Sequence, residues 1–212
     1  MKIYKKMFSG YLYQYEMTGP APDYSATYSK QRYDTYTTND RMSELRFNLL
    51  TKTIKTFNTL TDFGYGNGAF LNHCDKNGKI TYGYDISNYP TPLGTLKINN
   101  VNDYQVDVMT FYDSLEHLPQ NELTAFLKNL KTKYICISVP WYHEDQGTDW
   151  FLKWKHRREN EHLHHFDSHG LINLLILSGY KVLYLGNDED QVRTPVDDLP
   201  NILTVISKKL EN

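Results

Sequence analysis

The hydrophobic and polar positions of this chain change rhythm several times. Up to about Asp40 the chain is rich in Tyr, Ser, Thr and Asp, with no clean helical or strand period and a breaker at Gly19-Pro20-Ala21-Pro22. Between Ser43 and Phe57, Leu45, Leu49, Leu50 and Ile54 recur at helical spacing, which predicts an amphipathic helix leading into the core. From Leu60 onward short apolar runs alternate with helical ones. Strands are predicted at Leu60 to Phe63, Ile80 to Tyr84, Leu96 to Ile98, Val106 to Phe111 and Tyr134 to Val139. Helices are predicted at Ala69 to Cys74 and where Leu123, Phe126, Leu127 and Leu130 share a face. Such alternation is the signature of βαβ units around a parallel sheet. The polar, His- and Trp-rich stretch from Trp141 to Phe166 has no simple period and reads as an insertion. Beyond it, Ser168 is placed to cap a helix carrying Leu171, Leu174, Leu175 and Leu177, with Gly179 as its stop. Tyr180 to Leu185 and Ile202 to Ile206 read as two closing strands.

The length suits one domain with decorations. Eight tyrosines fall in the first 40 residues (Tyr4, Tyr11, Tyr13, Tyr15, Tyr24, Tyr28, Tyr33 and Tyr36). Disordered segments are poor in aromatics, so an ordered arm or lid packed on the core is expected there. A formal net charge of -2, from 23 Lys+Arg against 25 Asp+Glu, gives no positive field for a phosphate backbone, so nucleic acid is not the expected partner. Cys74 and Cys136 lie far apart in a predicted helix and strand, which argues against a disulfide framework and fits a reducing cytoplasm. The most apolar run, Leu171 to Leu185, is broken by Asn173, Ser178, Gly179 and Lys181, so neither export nor a membrane span is expected.

The densest chemical signal is Thr61-Asp62-Phe63-Gly64-Tyr65-Gly66-Asn67-Gly68, where a strand turns into a helix. Glycines at alternate positions let the backbone turn tightly and approach a ligand closely. The next strand ends in Gly83-Tyr84-Asp85, which places an acid 23 residues after Asp62, where a ribose-binding carboxylate belongs. A dinucleotide fingerprint would carry its third glycine one residue later. The Asp62 carboxylate near the turn also suits a cationic amino group and repels phosphate.

This Asp-x-Gly-x-Gly-x-Gly arrangement resembles the first motif of class I S-adenosylmethionine (SAM)-dependent methyltransferases, and Asp85 matches their acid at the end of the second strand. The resemblance runs from about Met42 to Lys208. Val106 to Leu118, with Leu115-Glu116-His117, is similar to the fourth-strand motif of small-molecule members, and Arg46 stands where ubiquinone-biosynthesis O-methyltransferases carry an arginine for the SAM carboxylate. The resemblance implies a Rossmann-like, doubly wound α/β fold with a mostly parallel seven-stranded sheet and a C-terminal antiparallel hairpin. It divides the chain into a tyrosine-rich arm at 1–40 and a SAM-binding domain at 41–212 with an insertion at 141–166. SAM contacts are then expected from Arg46, Asp62, Gly64, Tyr65, Gly66, Gly68, Asp85, Ile86, Phe111 and Tyr112, and adenine contacts from Asn102 and Asp103. A solvated helix charge is the plainer reading of Arg46.

The implied reaction is methyl transfer to a small-molecule acceptor, with oxygen preferred over nitrogen or carbon. Where the acceptor needs a base, His143 and His162 are the candidates, drawn from a crowd of histidines after the fifth strand. Asp113, Glu116 and His117 are similar to an acid-x-x-Glu-His motif that binds a divalent ion in some ubiquinone-pathway enzymes, whereas most relatives with Leu-Glu-His need none, and no metal is expected. Competing readings are a catalytically silent SAM-binding module and an RNA or nucleoside methyltransferase. The only positive sign for the latter is the basic cluster Lys153, Lys155, His156, Arg157 and Arg158.

Overall fold

The computed structural model describes residues 2–24, 39–87, 89–119, 122–193 and 198–211, so Tyr28, Tyr33 and Tyr36 of the expected arm lie outside the described residues. The strands are β1 (Tyr4–Phe8), β2 (Tyr11–Gln14), β3 (Thr59–Phe63), β4 (Ile80–Tyr84), β5 (Leu96–Lys97), β6 (Val106–Tyr112), β7 (Thr132–Pro140), β8 (His164–Phe166), β9 (Tyr180–Gly186) and β10 (Ile202–Lys209). The helices are α1 (Asn39–Ile54), α2 (Ala69–Lys76), α3 (Leu123–Lys128), α4 (Gly147–Lys153) and α5 (Ser168–Leu177).

Seven strands form one sheet in the order β5-β4-β3-β6-β7-β10-β9. The first five are mutually parallel, and β10 runs antiparallel to both β7 and β9. The expected doubly wound fold is therefore the observed one. Strand order reverses at β3, which has β4 on one side and β6 on the other. In such sheets ligands bind beyond the carboxyl ends at that reversal. The register levels those ends, because Phe63 pairs with Tyr84 on one side and with Phe111 on the other.

Strand periodicity divides the core between the two faces. Met109 and Phe111 of β6 join Ile135 and Ile137 under Leu123, Leu127, Leu171 and Leu174. Val108 and Tyr112 face the opposite layer, with Leu50 and Ile54 of α1 and Phe70 and Leu71 of α2. Among the described residues no helix is long and apolar enough to cross a membrane.

The N-terminal segment departs from the sequence reading. It forms a hairpin, β1 and β2, that adds antiparallel to β8 in a separate three-stranded sheet. No period shows in the sequence because the register slips between Lys6 and Phe8, and because both faces of β2 are covered. Tyr4 and Leu12 pack on Tyr142 and Phe151, while Tyr11 joins the main core. The hairpin turn sits against the start of α5, where a Cβ on Gly170 would come within 2.0 Å of the Gly10 carbonyl oxygen. The cap of α5 is also corrected: Asp167, not Ser168, accepts the Gly170 amide, at 2.7 Å.

Candidate functional site

At the carboxyl end of β3 the chain turns through Gly64, Gly66 and Gly68, with φ of 75°, 56° and 74°. L side chains rarely adopt this left-handed region, which explains the alternate glycines. Crowding adds to the requirement, since a Cβ on Gly64 would lie 2.8 Å from Ser114 Cβ and one on Gly68 would lie 2.3 Å from Pro92 Cγ. The turn is pinned by the Gly64 amide donating to the Tyr84 carbonyl at 2.7 Å and by the Gly66 amide donating to Asp85 Oδ2 at 2.9 Å. Asp85 Oδ1 accepts the Ser87 amide at 2.7 Å. A carboxylate has about four lone-pair sites, so this half-buried acid keeps acceptor capacity for a ligand hydroxyl.

Asp62 lies beneath the turn, buried, and accepts from Thr110 Oγ1 at 2.6 Å. Burial pushes its carboxyl up to about 7, against the Thr110 hydrogen bond and the charge of Arg46. Tyr65 is buried, donates to the Tyr89 carbonyl at 2.7 Å, and is raised by burial to about 12. Ile86 is exposed beside Asp85. These residues are brought together.

Asn102 is not brought to them, and Asp103 turns back on its own loop, its carboxylate accepting the Asn100 amide at 3.1 Å. Asn102 Oδ1 accepts the Lys131 amide at 3.0 Å, and the Lys131 carbonyl accepts the Val106 amide at 3.1 Å. Both contacts mark the amino ends of β6 and β7. The seven residues of β6, about 23 Å, separate that end from the glycine turn. The polar residue that follows β5 at the carboxyl edge is Asn99, exposed next to Ile98, whose amide bonds the Gly83 carbonyl at 2.9 Å. Its signal in the sequence is its place directly after the third strand.

Phe111 and Tyr112 fall on opposite faces of β6. Phe111 is fully buried against Phe63 and Phe126. Tyr112 lies beneath Arg46, whose guanidinium stands 4.0 Å from the ring centroid. Arg46 is no solvated helix charge: it forms a bidentate pair with the buried Glu189, at 2.8 and 2.9 Å, and lies 3.5 Å from Asp113. Arg193 pairs with both Asp113 oxygens and with Glu189 at 3.0 Å. Burial works against the Asp113 charge, yet the Arg193 and Arg46 guanidinium groups outweigh it and hold the carboxyl well below its usual range. Two cations and two anions thus neutralise one another at the rim. Sequence reasoning missed Glu189 and Arg193, which sit in the acidic loop after β9.

The histidines separate by environment. His143 stacks on Trp141 with ring centroids 5.7 Å apart, and its Nε2 lies 2.8 Å from the Pro200 carbonyl. His164 is held between the Tyr11 hydroxyl and the Leu118 carbonyl, and His156 is bonded to Asn201. His162 is buried, with its ring 4.6 Å from that of His117. Burial, joined by His117, His165 and Arg158, pushes His162 well below its usual pKa, so it is neutral at pH 7. Both cysteines are free and buried, and burial raises both thiols, Cys136 to about 12. Neither is a thiolate nucleophile.

A family model described as a methyltransferase domain matches residues 31–185. No curated protein matches the chain. Among solved structures, it is similar to the Burkholderia thailandensis 1,6-didemethyltoxoflavin-N1-methyltransferase with bound 1,6-didemethyltoxoflavin and S-adenosylhomocysteine. The identity is 11%, the TM-score 0.61, and the match covers 98% of this chain and 99% of that one. A SAM-dependent methyltransferase from Clostridium acetobutylicum gives a TM-score of 0.61 at 11% identity, over 88% of this chain and 98% of that one. The magnesium protoporphyrin IX methyltransferase of Synechocystis, with bound S-adenosylhomocysteine, gives 0.55 at 12% identity, over 82% and 86%. At such identities the likeness is one of fold.

Proposed function

The chain belongs to this methyltransferase domain family, with SAM as its methyl donor, and from that premise we propose that it methylates a hydroxyl oxygen on a small-molecule acceptor. The observation that carries the reading is the wall built over the carboxyl ends of β6 and β7 by the second sheet. The Leu163 amide bonds the Glu116 carbonyl at 2.8 Å, the Tyr142 amide bonds the Phe166 carbonyl at 2.8 Å, and Trp141 bridges to Phe166. A polymer groove would have to run through that wall, whereas a small acceptor needs only a gap behind it. The chain's slightly negative net charge points the same way.

The residues at the turn fit the donor. A carboxyl that burial has pushed up to about 7 is relieved by an ammonium group, which supports Asp62 as the partner of the SAM amino group. Asp85 accepts the ribose hydroxyls, Gly64, Gly66 and Gly68 permit close approach, and Tyr65 braces the turn. Ile86 packs on the adenine, with Asn99 rather than Asn102 at its polar edge. Arg46 is the partner for the SAM carboxylate, in competition with Glu189. Phe111 and Tyr112 close the floor at the end of β6.

Bound there, SAM supplies an electrophilic methyl group on its sulfonium sulfur. The chain aligns the acceptor oxygen, excludes water and removes a proton. His143 is the base. The Pro200 carbonyl only accepts, so His143 Nε2 carries the ring proton and Nδ1 keeps the lone pair that takes the acceptor's proton. From the arm, the Tyr24 hydroxyl reaches His117 at 3.1 Å and so closes this side of the rim.

The test is incubation with trideuteromethyl SAM and pooled hydroxylated metabolites, saccharides and RNA, read by mass spectrometry. Label on a small hydroxylated acceptor is expected, with His143→Ala losing turnover while keeping SAM affinity. Label on RNA alone would overturn the proposal. Tight SAM binding with no turnover on any pool would make the chain a silent SAM-binding module.

A further inference from the structure

Beside the rim, three residues form a cluster that the methyl-transfer reading does not use. Glu116 and His117 lie in a single 3-10 turn, Leu115–His117, that follows β6, and His162 is brought against them from the insertion just before β8. Glu116 is 1% exposed, and beyond the residue's own amide neither carboxylate oxygen has a hydrogen-bond partner among the described residues. His162 is 5% exposed, and its Nδ1 has no hydrogen-bond partner either. Native structures rarely bury a carboxylate and an imidazole nitrogen unsatisfied at one spot, and each such group calls for an explanation. The surrounding cations do not provide one: Arg193 is committed to Asp113 and Glu189, and Arg158 donates to Glu161 at 3.0 Å.

The ligand geometry does. His117 Nδ1 lies 3.0 Å from the Glu161 carbonyl, which can only accept. Nδ1 therefore carries the ring proton, shared with the Tyr24 hydroxyl at 3.1 Å, and Nε2 carries the lone pair. Nε2 points toward Glu116, 3.9 Å from Oε1. A backbone carbonyl fixing one nitrogen while the other faces a shared space is the usual outer support of a metal-ligating histidine. One ligand atom from each of Glu116, His117 and His162 falls within 4.8 Å of the others. Tetrahedral zinc, with ligands at about 2.0–2.2 Å, needs ligand atoms about 3.4 Å apart, so small side-chain rotations close the set.

We propose that Glu116, His117 and His162 bind one divalent transition-metal ion of the zinc class at the rim of the acceptor site, with a fourth position open to water or an acceptor oxygen. Two imidazoles and one carboxylate form a mixed N/O set that suits zinc, cobalt or manganese better than calcium or magnesium. The ligand set is not the one implied by the acid-x-x-Glu-His resemblance. Asp113 is held by Arg193, and His162, far along the sequence, takes its place. Binding requires an ionised Glu116 and neutral imidazoles, so loading is expected to weaken as pH falls. The inference stands on the cluster's geometry and does not depend on which acceptor is methylated.

The test uses full-length protein without an oligohistidine tag, loaded with Co²⁺ or Zn²⁺ and dialysed against metal-free buffer. About one equivalent per chain is expected by elemental mass spectrometry, with visible Co²⁺ ligand-field bands of an N/O site. Glu116→Gln and His162→Gln, checked for fold by circular dichroism, are each expected to lose the ion, whereas Asp113→Asn keeps it. Wild-type protein retaining less than about a tenth of an equivalent would overturn the site. Retention by His162→Gln with loss in Asp113→Asn would overturn the ligand set. Both readouts are independent of methyl transfer, so their failure is distinguishable from failure of the activity assay.

Discussion

The two ends of the parallel sheet use acidic residues in opposite ways. At the amino end, Asp107 of β6 accepts from the Asn58 amide at 2.9 Å, from the Thr59 amide at 3.2 Å and from Lys133 Nζ at 2.9 Å, tying three strand starts together. Against a contribution from burial, the Asn58 amide and the Lys133 ammonium lead the partners that draw its pKa down to about 2. At the carboxyl end, burial pushes Asp62 up to about 7 and Glu116 well above its usual value. Fully partnered carboxylates stabilise a fold, and partly satisfied ones are held ready for something that arrives later. The contrast is between Asp107, which serves stability, and Asp62 and Glu116, which are the ligand candidates, while Asp113 and Glu189 at the same rim are neutralised by Arg46 and Arg193; it can be broken experimentally.

The largest effect is expected from Gly66→Val. A branched side chain forced into the left-handed region at φ 56° should abolish SAM binding by calorimetry while the fold survives. Asp85→Ala comes next, weakening SAM by roughly 2–4 kcal/mol through loss of charge-assisted hydrogen bonds. Unchanged affinity in the folded variant would remove Asp85 from the site.

Asp107→Ala should do the reverse, costing about 2 kcal/mol of stability in urea unfolding and leaving SAM affinity alone. Its folded pKa lies below the ordinary 3.8, so the contribution is present above that pH and is lost as pH falls through about 2. A smaller effect is expected from pH. An ammonium binds only the ionised form of Asp62, so SAM affinity should rise as pH rises through about 7, by up to about tenfold between pH 6 and 8. Asp62→Asn should flatten that profile, and a profile still sloping in the variant would place the titrating group elsewhere. The smallest change is expected from Asn102→Ala, with about 1 kcal/mol of stability and no loss of SAM binding. A large binding defect there would erase the distinction between the two ends.

What could be read beforehand follows the range of the forces involved. The glycine turn and Asp85 are legible as neighbours because β3, α2 and β4 form one short βαβ unit, where spacing and topology carry the information. The doubly wound sheet is legible for the same reason. The Arg46–Glu189 pair spans 143 residues, and no local pattern announces it. The position of Asn102 near the amino end is equally hidden, because the Lys131 amide that holds it there comes from a distant element. The hairpin escapes for both reasons at once: a register slip hides its period, and its partner strand lies far along the chain.

That last separation has a consequence in time. Tyr11 and His164 meet across 153 residues. At a synthesis rate of roughly 5–20 residues per second, β2 waits about 8–30 s for β8 to be made. During that wait the hairpin has no sheet to join, and two strands alone are marginally stable in water. Docking of the hairpin should therefore be a late event, absent from the folding transition state, and substitutions at Leu12 should speed unfolding while leaving the folding rate nearly unchanged. In kinetic terms the hairpin is a clasp: it adds little to how fast the parallel sheet assembles and much to how long the finished chain stays closed.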